Sequence, residues 1–229
     1  MTTIAANLQA VRARIARAAE AAGRRAGDIV LVAVSKTFPA QRIAEAHAAG
    51  QSAFGENHVQ EAVAKITGLA ALPIEWHFIG PIQSNKTGPI AEHFQWVHSV
   101  EREKIAVRLN EARPEGLPPL NVCIQVNVSG EHSKSGVAPG GEIELAEAIA
   151  RLPRLRLRGL MAIPEPTPDV ELQRRRFALL RELKDKLAGR GYALDTLSMG
   201  MSDDLEAAIM EGATMVRIGT AIFGPRRKT

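Results

Sequence analysis

One cysteine, one tyrosine and no long apolar run: this 229-residue chain is marked first by what it lacks. The lone thiol, Cys123, cannot close an internal disulfide, so the fold suits a reducing compartment. It stands inside the apolar run LNVCIQVNV, where a small buried packing residue is expected. Nothing approaches the roughly 20 uninterrupted apolar residues that a membrane-crossing helix needs, and the N-terminus has no apolar signal core. Arg12, Arg14 and Arg17 precede the first acid at Glu20 and superficially resemble a transit peptide. Ile4, Leu8, Val11 and Ile15 recur at helical spacing, however, and predict an amphipathic helix packed on the domain. The expectation is a cytoplasmic protein with no membrane partner.

Strong charge is missing too. Twenty-nine basic residues against 25 acidic ones leave a net charge of +4. That tolerates anionic small molecules and gives no argument for nucleic acid. Arg154, Arg156 and Arg158 alternate with leucine in RLPRLRLRGL. They are read as the rim at the bottom of a strand that starts near Arg158, and QRRRF as a solvated helix face. The histidines, His47, His58, His77, His93, His98 and His132, have no HxxxH or Cys/His ligand spacing, so no metal site is expected. There is no Pro/Ser linker, internal repeat or low-complexity tract, which predicts a single domain over residues 1–229. No long exposed apolar stripe is evident, so a monomer is expected.

What the chain does have is alternation. Strand-like runs fall at 29–35, 52–54, 75–79, 96–100, 121–128, 158–163, 195–198 and 214–218. Helix-like segments follow them at 40–49, 57–69, 84–93, 102–112, 142–151, 169–189 and 203–211, with a terminal helical turn. Two loops stand out, the polar SGEHSKSGVAPGG and the proline-rich PEPTPD. Strict βα alternation implies parallel strands, and eight of them predict an α/β fold: a closed (β/α)8 TIM barrel with an extra N-terminal helix.

In such a barrel chemistry sits at the C-terminal strand ends. The first strand ends in LVAVSKTFPA, with Val32, Val34 and Lys36 on one face, taken to point inward. A lysine above a packed apolar core has its charged form disfavoured, and a neutral amine attacks aldehydes. The competing readings are that Lys36 snorkels to solvent or pairs with Glu56. At the eighth strand, MVRIGTAIFG places Arg217 on the face of Met215 and runs through Gly219 and Thr220 into a helical turn, the usual phosphate site of this fold. At the seventh, SMGMSDD offers Ser202 as N-cap of a helix starting at Asp203, beside that phosphate nest. Asp203 and Asp204 suit a helix start and need no catalytic role. An amine on one side and an anion cradle on the other suggest a phosphorylated aldehyde, pyridoxal 5′-phosphate, held as an imine.

The motifs AVSKT, FGEN..VQE, WHFIGPIQSNK, SKSG, RGLMAI, MGMSDD and MVRIGTAIFG, in order over residues 29–224, resemble the pyridoxal-5′-phosphate homeostasis protein family. That family shares its barrel with the N-terminal domain of alanine racemase. The resemblance implies that Lys36 is the Schiff-base lysine and that Asn57 lies near the cofactor ring. It implies Arg217 beside the pyridine nitrogen, Ser202, Gly219 and Thr220 on the phosphate, and Met201 contributing backbone. A guanidinium cannot accept the pyridinium proton, so the ring would be a weak electron sink. The chain departs from the family pattern with His58 in place of tyrosine and Phe38 in place of a second lysine.

The function implied is cofactor buffering and delivery, with transient contact to apo-enzymes and no catalytic residue. Two enzyme readings compete. A racemase needs a second base, supplied in alanine racemase by a tyrosine from another domain. Here the one tyrosine, Tyr192, precedes strand 7 at the opposite barrel face, and His58 is the substitute to weigh. A lysine aldolase would need an acid–base group such as Glu56. His77 is read as a satisfied barrel histidine, Trp76 and Trp96 as packing, and Lys86 as solvated surface.

Overall fold

The computed structural model describes residues 3–131 and 135–225. His132 and the Ser133-Lys134 half of SKSG lie outside them. Apolar spacing in the first segment forms α1 (Ile4–Ala21), capped by the Thr3 hydroxyl, which accepts from the Ala6 amide at 3.2 Å. Its Ile4, Leu8, Val11 and Ile15 are buried, as a helical stripe requires.

The alternation then runs as eight βα units. They are β1 (Val30–Val34) and α2 (Ala40–Ala48), β2 (Ala53–Glu56) and α3 (Val59–Gly68), β3 (Glu75–Phe78) and α4 (Thr87–His93), and β4 (Trp96–Val100) and α5 (Glu103–Ala112). The second half follows with β5 (Leu120–Gln125) and α6 (Glu142–Ala150), β6 (Leu155–Met161) and α7 (Val170–Ala188), β7 (Thr196–Ser198) and α8 (Leu205–Met210), and β8 (Met215–Ile218) and α9 (Thr220–Phe223). Neighbouring strands pair in parallel and β8 closes on β1, with Val30 opposite Met215 and Val32 opposite Arg217. The expected barrel with its additional N-terminal helix is the fold. Among the described residues no helix is long and apolar enough to cross a membrane.

The core has two layers. Leu31, Ala33, Phe54, Phe78, Val97, Leu160 and Val216 point outward and pack against the helices. Trp96, Cys123, Met161 and Met215 form a separate cluster within the barrel. Cys123 is a buried packing residue there, and burial pushes its thiol up to about 12. This inner layer also holds wholly buried polar side chains, His77, His98 and Ser198. TIM-barrel interiors are usually filled by branched apolar residues.

The sixth strand departs from expectation. It begins at Leu155, not near Arg158. A bulge explains the pattern: Val122 pairs with Leu157 and Cys123 with Gly159, leaving Arg158 as the extra residue. Arg158 turns under the barrel, with its guanidinium 4.6 Å above the Trp96 ring and its Nη2 bonded to Asp195 at 2.6 Å. Gly159 is required next to it, because a Cβ there would lie 1.8 Å from the Thr196 carbonyl oxygen. The fifth strand is shorter than its apolar run, ending at Gln125, with Val126 making an isolated bridge to Val137.

Candidate functional site

The C-terminal strand ends enclose a cavity of about 350 Å³. Lys36, Asn57, Met201, Ser202, Arg217, Gly219 and Thr220 all line it, so the residues singled out in the sequence meet in one place. Val34, Phe38, Ile79 and Ile163 supply apolar wall, and Phe38 stacks on Phe223 at 5.1 Å between ring centroids.

Lys36 stands two residues beyond β1, half-buried in a tight turn. The next residue, Thr37, has φ of 69°, a left-handed conformation that a threonine adopts only when held. The holding groups come from β2 and α3. Lys65 Nζ donates to Glu56 Oε1 at 2.7 Å, to Glu61 Oε1 at 2.5 Å and to the Ser35 carbonyl at 3.0 Å. The Ser35 hydroxyl also donates to Glu56 Oε1, and the Thr37 amide to Glu61 Oε1, each at 2.7 Å. The sequence reading missed this clamp. Glu56 is not loose charge at a helix start: it is the last residue of β2, fully buried, and salt-bridged to Lys65. The i, i+4 spacing of Glu61 and Lys65 was the available signal.

On the strand next to β1, the chain leaves β8 through Gly219. A Cβ at Gly219 would sit 3.2 Å from the Val34 carbonyl oxygen, so glycine lets this turn press against β1. Thr220 and Ala221 follow in the first turn of α9, where amides have no intrahelical acceptor. Ser202 approaches from the β7 side, but not as an N-cap. The helix there starts at Leu205 after Asp204, two residues later than expected. Asp204 organises the turn instead, its Oδ1 accepting from the Met201 amide at 2.5 Å, because a carboxylate bonds backbone more strongly than a hydroxyl. The Met201 amide is therefore already engaged. Burial raises the Asp204 carboxyl, opposed by the Met201 amide and the Arg217 charge.

Arg217 is buried at the floor of the cavity. Its Nη1 donates to Ser198 Oγ at 2.6 Å and its Nη2 to the Ala162 carbonyl at 2.8 Å. Burial pulls the guanidinium down to about 10, so it is charged at neutral pH. Asn57, just after β2, lines the cavity, and its Oδ1 is buried with no hydrogen-bond partner among the described groups. Such an orphan acceptor is rare and points to a ligand donor or water. His58 is exposed at the start of α3 and does not line the cavity. Tyr192 lies before β7, packed against the outer core at the other end of the barrel. His77 is buried and satisfied by His98 and Glu75, and Trp76 and Trp96 are buried in packing positions. Among the described residues no group of three or more His, Cys, Asp or Glu is placed to hold a metal ion.

Comparison with known proteins places these residues in context. The model of the alanine racemase N-terminal domain family matches residues 6–227. A pyridoxal phosphate homeostasis protein of Pseudomonas aeruginosa is 67% identical over 226 residues, 99% of this chain and 97% of its own. A protein of the same description from Escherichia coli is 56% identical over 232 residues, covering 99% and 98%. Among solved structures, PipY of Synechococcus elongatus with PLP bound is 36% identical with a TM-score of 0.85, over 97% of this chain and all (100%) of that one.

Proposed function

This chain belongs to the pyridoxal phosphate homeostasis proteins, and we propose that it captures and releases pyridoxal 5′-phosphate through a Schiff base at Lys36. The observation that carries this reading is one cavity lined both by Lys36 and by the Gly219–Thr220 turn of the neighbouring βα unit, with a positively charged, donor-only Arg217 in its lining. The unpartnered Asn57 Oδ1 fits the same group, which brings a phenolic hydroxyl able to donate.

When bound, the cofactor would supply an aldehyde carbon with which the Lys36 amine could condense, with loss of water. The remaining work belongs to the chain. Backbone amides of Gly219 and Thr220, with the Ser202 hydroxyl, hold the phosphate, and Met201 shapes the wall beside them. Asn57 orients the ring. Arg217 presents only N–H groups to the ring nitrogen, so it disfavours protonation there and leaves the ring a poor electron sink. That suits storage better than turnover.

The racemase alternative needs a base on each face of the substrate carbon. Tyr192 lies toward the opposite end of the barrel and His58 outside the cavity lining, so neither supplies the second one. For the aldolase, Glu56 is tied to Lys65 and Ser35 and does not line the cavity. We further propose a one-domain, monomeric, cytoplasmic protein that buffers the cofactor and delivers it by transient contact with apo-enzymes. His58 and Phe38 belong to the delivery surface.

A native mass spectrum before and after hydride reduction tests the reading. The expected result is one cofactor per chain, fixed by reduction and mapped to Lys36, and a colourless Lys36→Ala protein. Attachment at another residue would overturn it. Racemase turnover by the pure protein, lost in Lys36→Ala, would overturn the carrier role.

A further inference from the structure

A line of buried polar groups runs through the barrel axis from the N-terminal mouth to the cavity. Glu75, the first residue of β3, is half-exposed at the mouth, and its Oε1 lies 2.9 Å from His77 Nε2. His77 Nδ1 lies 2.9 Å from His98 Nε2, and His98 Nδ1 lies 2.6 Å from Ser198 Oγ. Ser198 Oγ in turn accepts from Arg217 Nη1 at 2.6 Å. Four strands, β3, β4, β7 and β8, each contribute to this line. Both imidazoles and the serine are almost completely shielded from water.

We propose that Glu75, His77, His98 and Ser198 form a one-way hydrogen-bond relay that holds Arg217 in place and ties the electrostatics of the cofactor ring to the far mouth of the barrel. This rests on reading Lys36 and Arg217 as cofactor-holding residues. The direction follows from the end groups. A guanidinium only donates and a carboxylate only accepts. Ser198 therefore accepts from Arg217 and gives its own proton to His98 Nδ1. The single proton of neutral His98 sits on Nε2 and goes to His77 Nδ1, and that of His77 sits on Nε2 and goes to Glu75. Every buried donor and acceptor on the line is then satisfied. Aligned dipoles present their negative ends to Arg217 and terminate on a carboxylate, which acts as its counter-charge at a distance.

The surroundings agree with that assignment. Burial keeps both imidazoles neutral: it lowers His77 against the pull of Glu75, and lowers His98 well below its usual value with help from His77 and Arg217. Glu75 is held low chiefly by its bond from His77, with Trp96 and Arg158 also favouring the carboxylate. Arg158 itself is bound to Asp195, and at the other end Asp204 and the neutral Cys123 thiol act on Arg217, with Lys36 and Asp203 in the same cavity lining. A packing role alone would be met by apolar residues. Two buried histidines in the only mutually satisfying tautomers demand a further reason.

The experiment has two arms. Histidine nitrogen NMR of the purified protein reads the tautomers directly. His77 and His98 are expected to be neutral and protonated at Nε2 from pH 6 to pH 8, and a charged ring or an Nδ1-protonated His98 would overturn the relay. In the second arm, pyridoxal 5′-phosphate is added and the pH titration of the imine absorbance is followed. Ser198→Ala removes one oxygen and lets Arg217 swing from the ring, so the apparent imine pKa is expected to rise by on the order of one unit. Ser198→Thr restores the hydroxyl and is expected to return it to the wild-type value. Reductive mass analysis in parallel is expected to find the Lys36 adduct in all three proteins. An unchanged or lowered value in Ser198→Ala with the adduct present would overturn the relay while leaving the cofactor reading intact. An absent adduct in the wild type would overturn both.

Discussion

Asn57 and Glu75 show how single side chains separate binding from stability. Asn57 buries an acceptor that no described group of the protein satisfies. Truncating an unsatisfied buried group removes a penalty rather than a bond. Asn57→Ala is therefore expected to leave the melting temperature unchanged or slightly raised, while cofactor affinity falls roughly tenfold, about 1.4 kcal/mol. Thermal melts with and without pyridoxal 5′-phosphate check both halves, and a large loss of intrinsic stability would refute the assignment. Glu75 works in the opposite sense. Its folded-state pKa lies below the usual value because His77 donates to the carboxylate. A depressed pKa stabilises the fold above the unfolded value and loses that contribution as pH falls through the folded one. Glu75→Gln is thus expected to be less stable than wild type at pH 7, with the gap closing below about pH 4, the ordinary carboxylate range. Urea titrations at both pH values read the difference, and a gap that persists in acid would contradict it.

At the scale of elements, the clamp between α3 and the turn after β1 bonds Ser35 and Thr37, the residues on either side of Lys36. Lys65 is buried and bonded to two carboxylates and a carbonyl. Lys65→Met would strip Glu56, whose carboxyl burial already raises, of the charge that offsets that burial, and breaking a buried pair in this way typically destabilises by about 3–5 kcal/mol. Glu56→Leu combined with Lys65→Met should recover much of that stability yet bind cofactor more weakly, because Ser35 loses both of its partners and Glu61, which holds the Thr37 amide, loses its bond from Lys65. Equal affinity in the double variant would show that the clamp is only structural. Elements were also where the sequence was read well and badly. The eight alternations were visible because each strand run is apolar and each helix amphipathic, and Lys36, Gly219 and Arg217 were visible because strand ends are where such barrels act. The start of β6 was not, because the bulge at Arg158 breaks the two-residue period on which strand reading depends. Ser202 was misread as a cap because Asp204, two residues on, satisfies the Met201 amide instead. The clamp and the His77–His98 line join side chains from different elements, and apart from the i, i+4 spacing of Glu61 and Lys65 on α3 such pairings have no one-dimensional signature.

At the scale of the whole molecule, the proposed site would let a ligand couple the first and last βα units. Lys36 belongs to the first βα unit and the Gly219–Thr220 turn to the last, and β1 pairs directly with β8 where the barrel closes. A group bound to both tethers the seam of the barrel, so it stabilises the native state and has no comparable site on the unfolded chain. Mass action then sets the size: at a free concentration about 100 times the dissociation constant, binding adds about 2.7 kcal/mol. For a chain of this length that is a rise in melting temperature of roughly 5–10 °C. Pyridoxal 5′-phosphate is expected to give the full shift. Pyridoxal, with the aldehyde but no phosphate, and pyridoxine 5′-phosphate, with the phosphate but no aldehyde, are each expected to give a minor fraction of it at equal concentration. The pattern should invert in Lys36→Ala, where the aldehyde no longer matters and the two phosphorylated compounds become equivalent. Differential scanning calorimetry on the three compounds measures this directly. A full shift from pyridoxal alone would mean that the Gly219–Thr220 turn contributes nothing, and the seam would then be held from one side only.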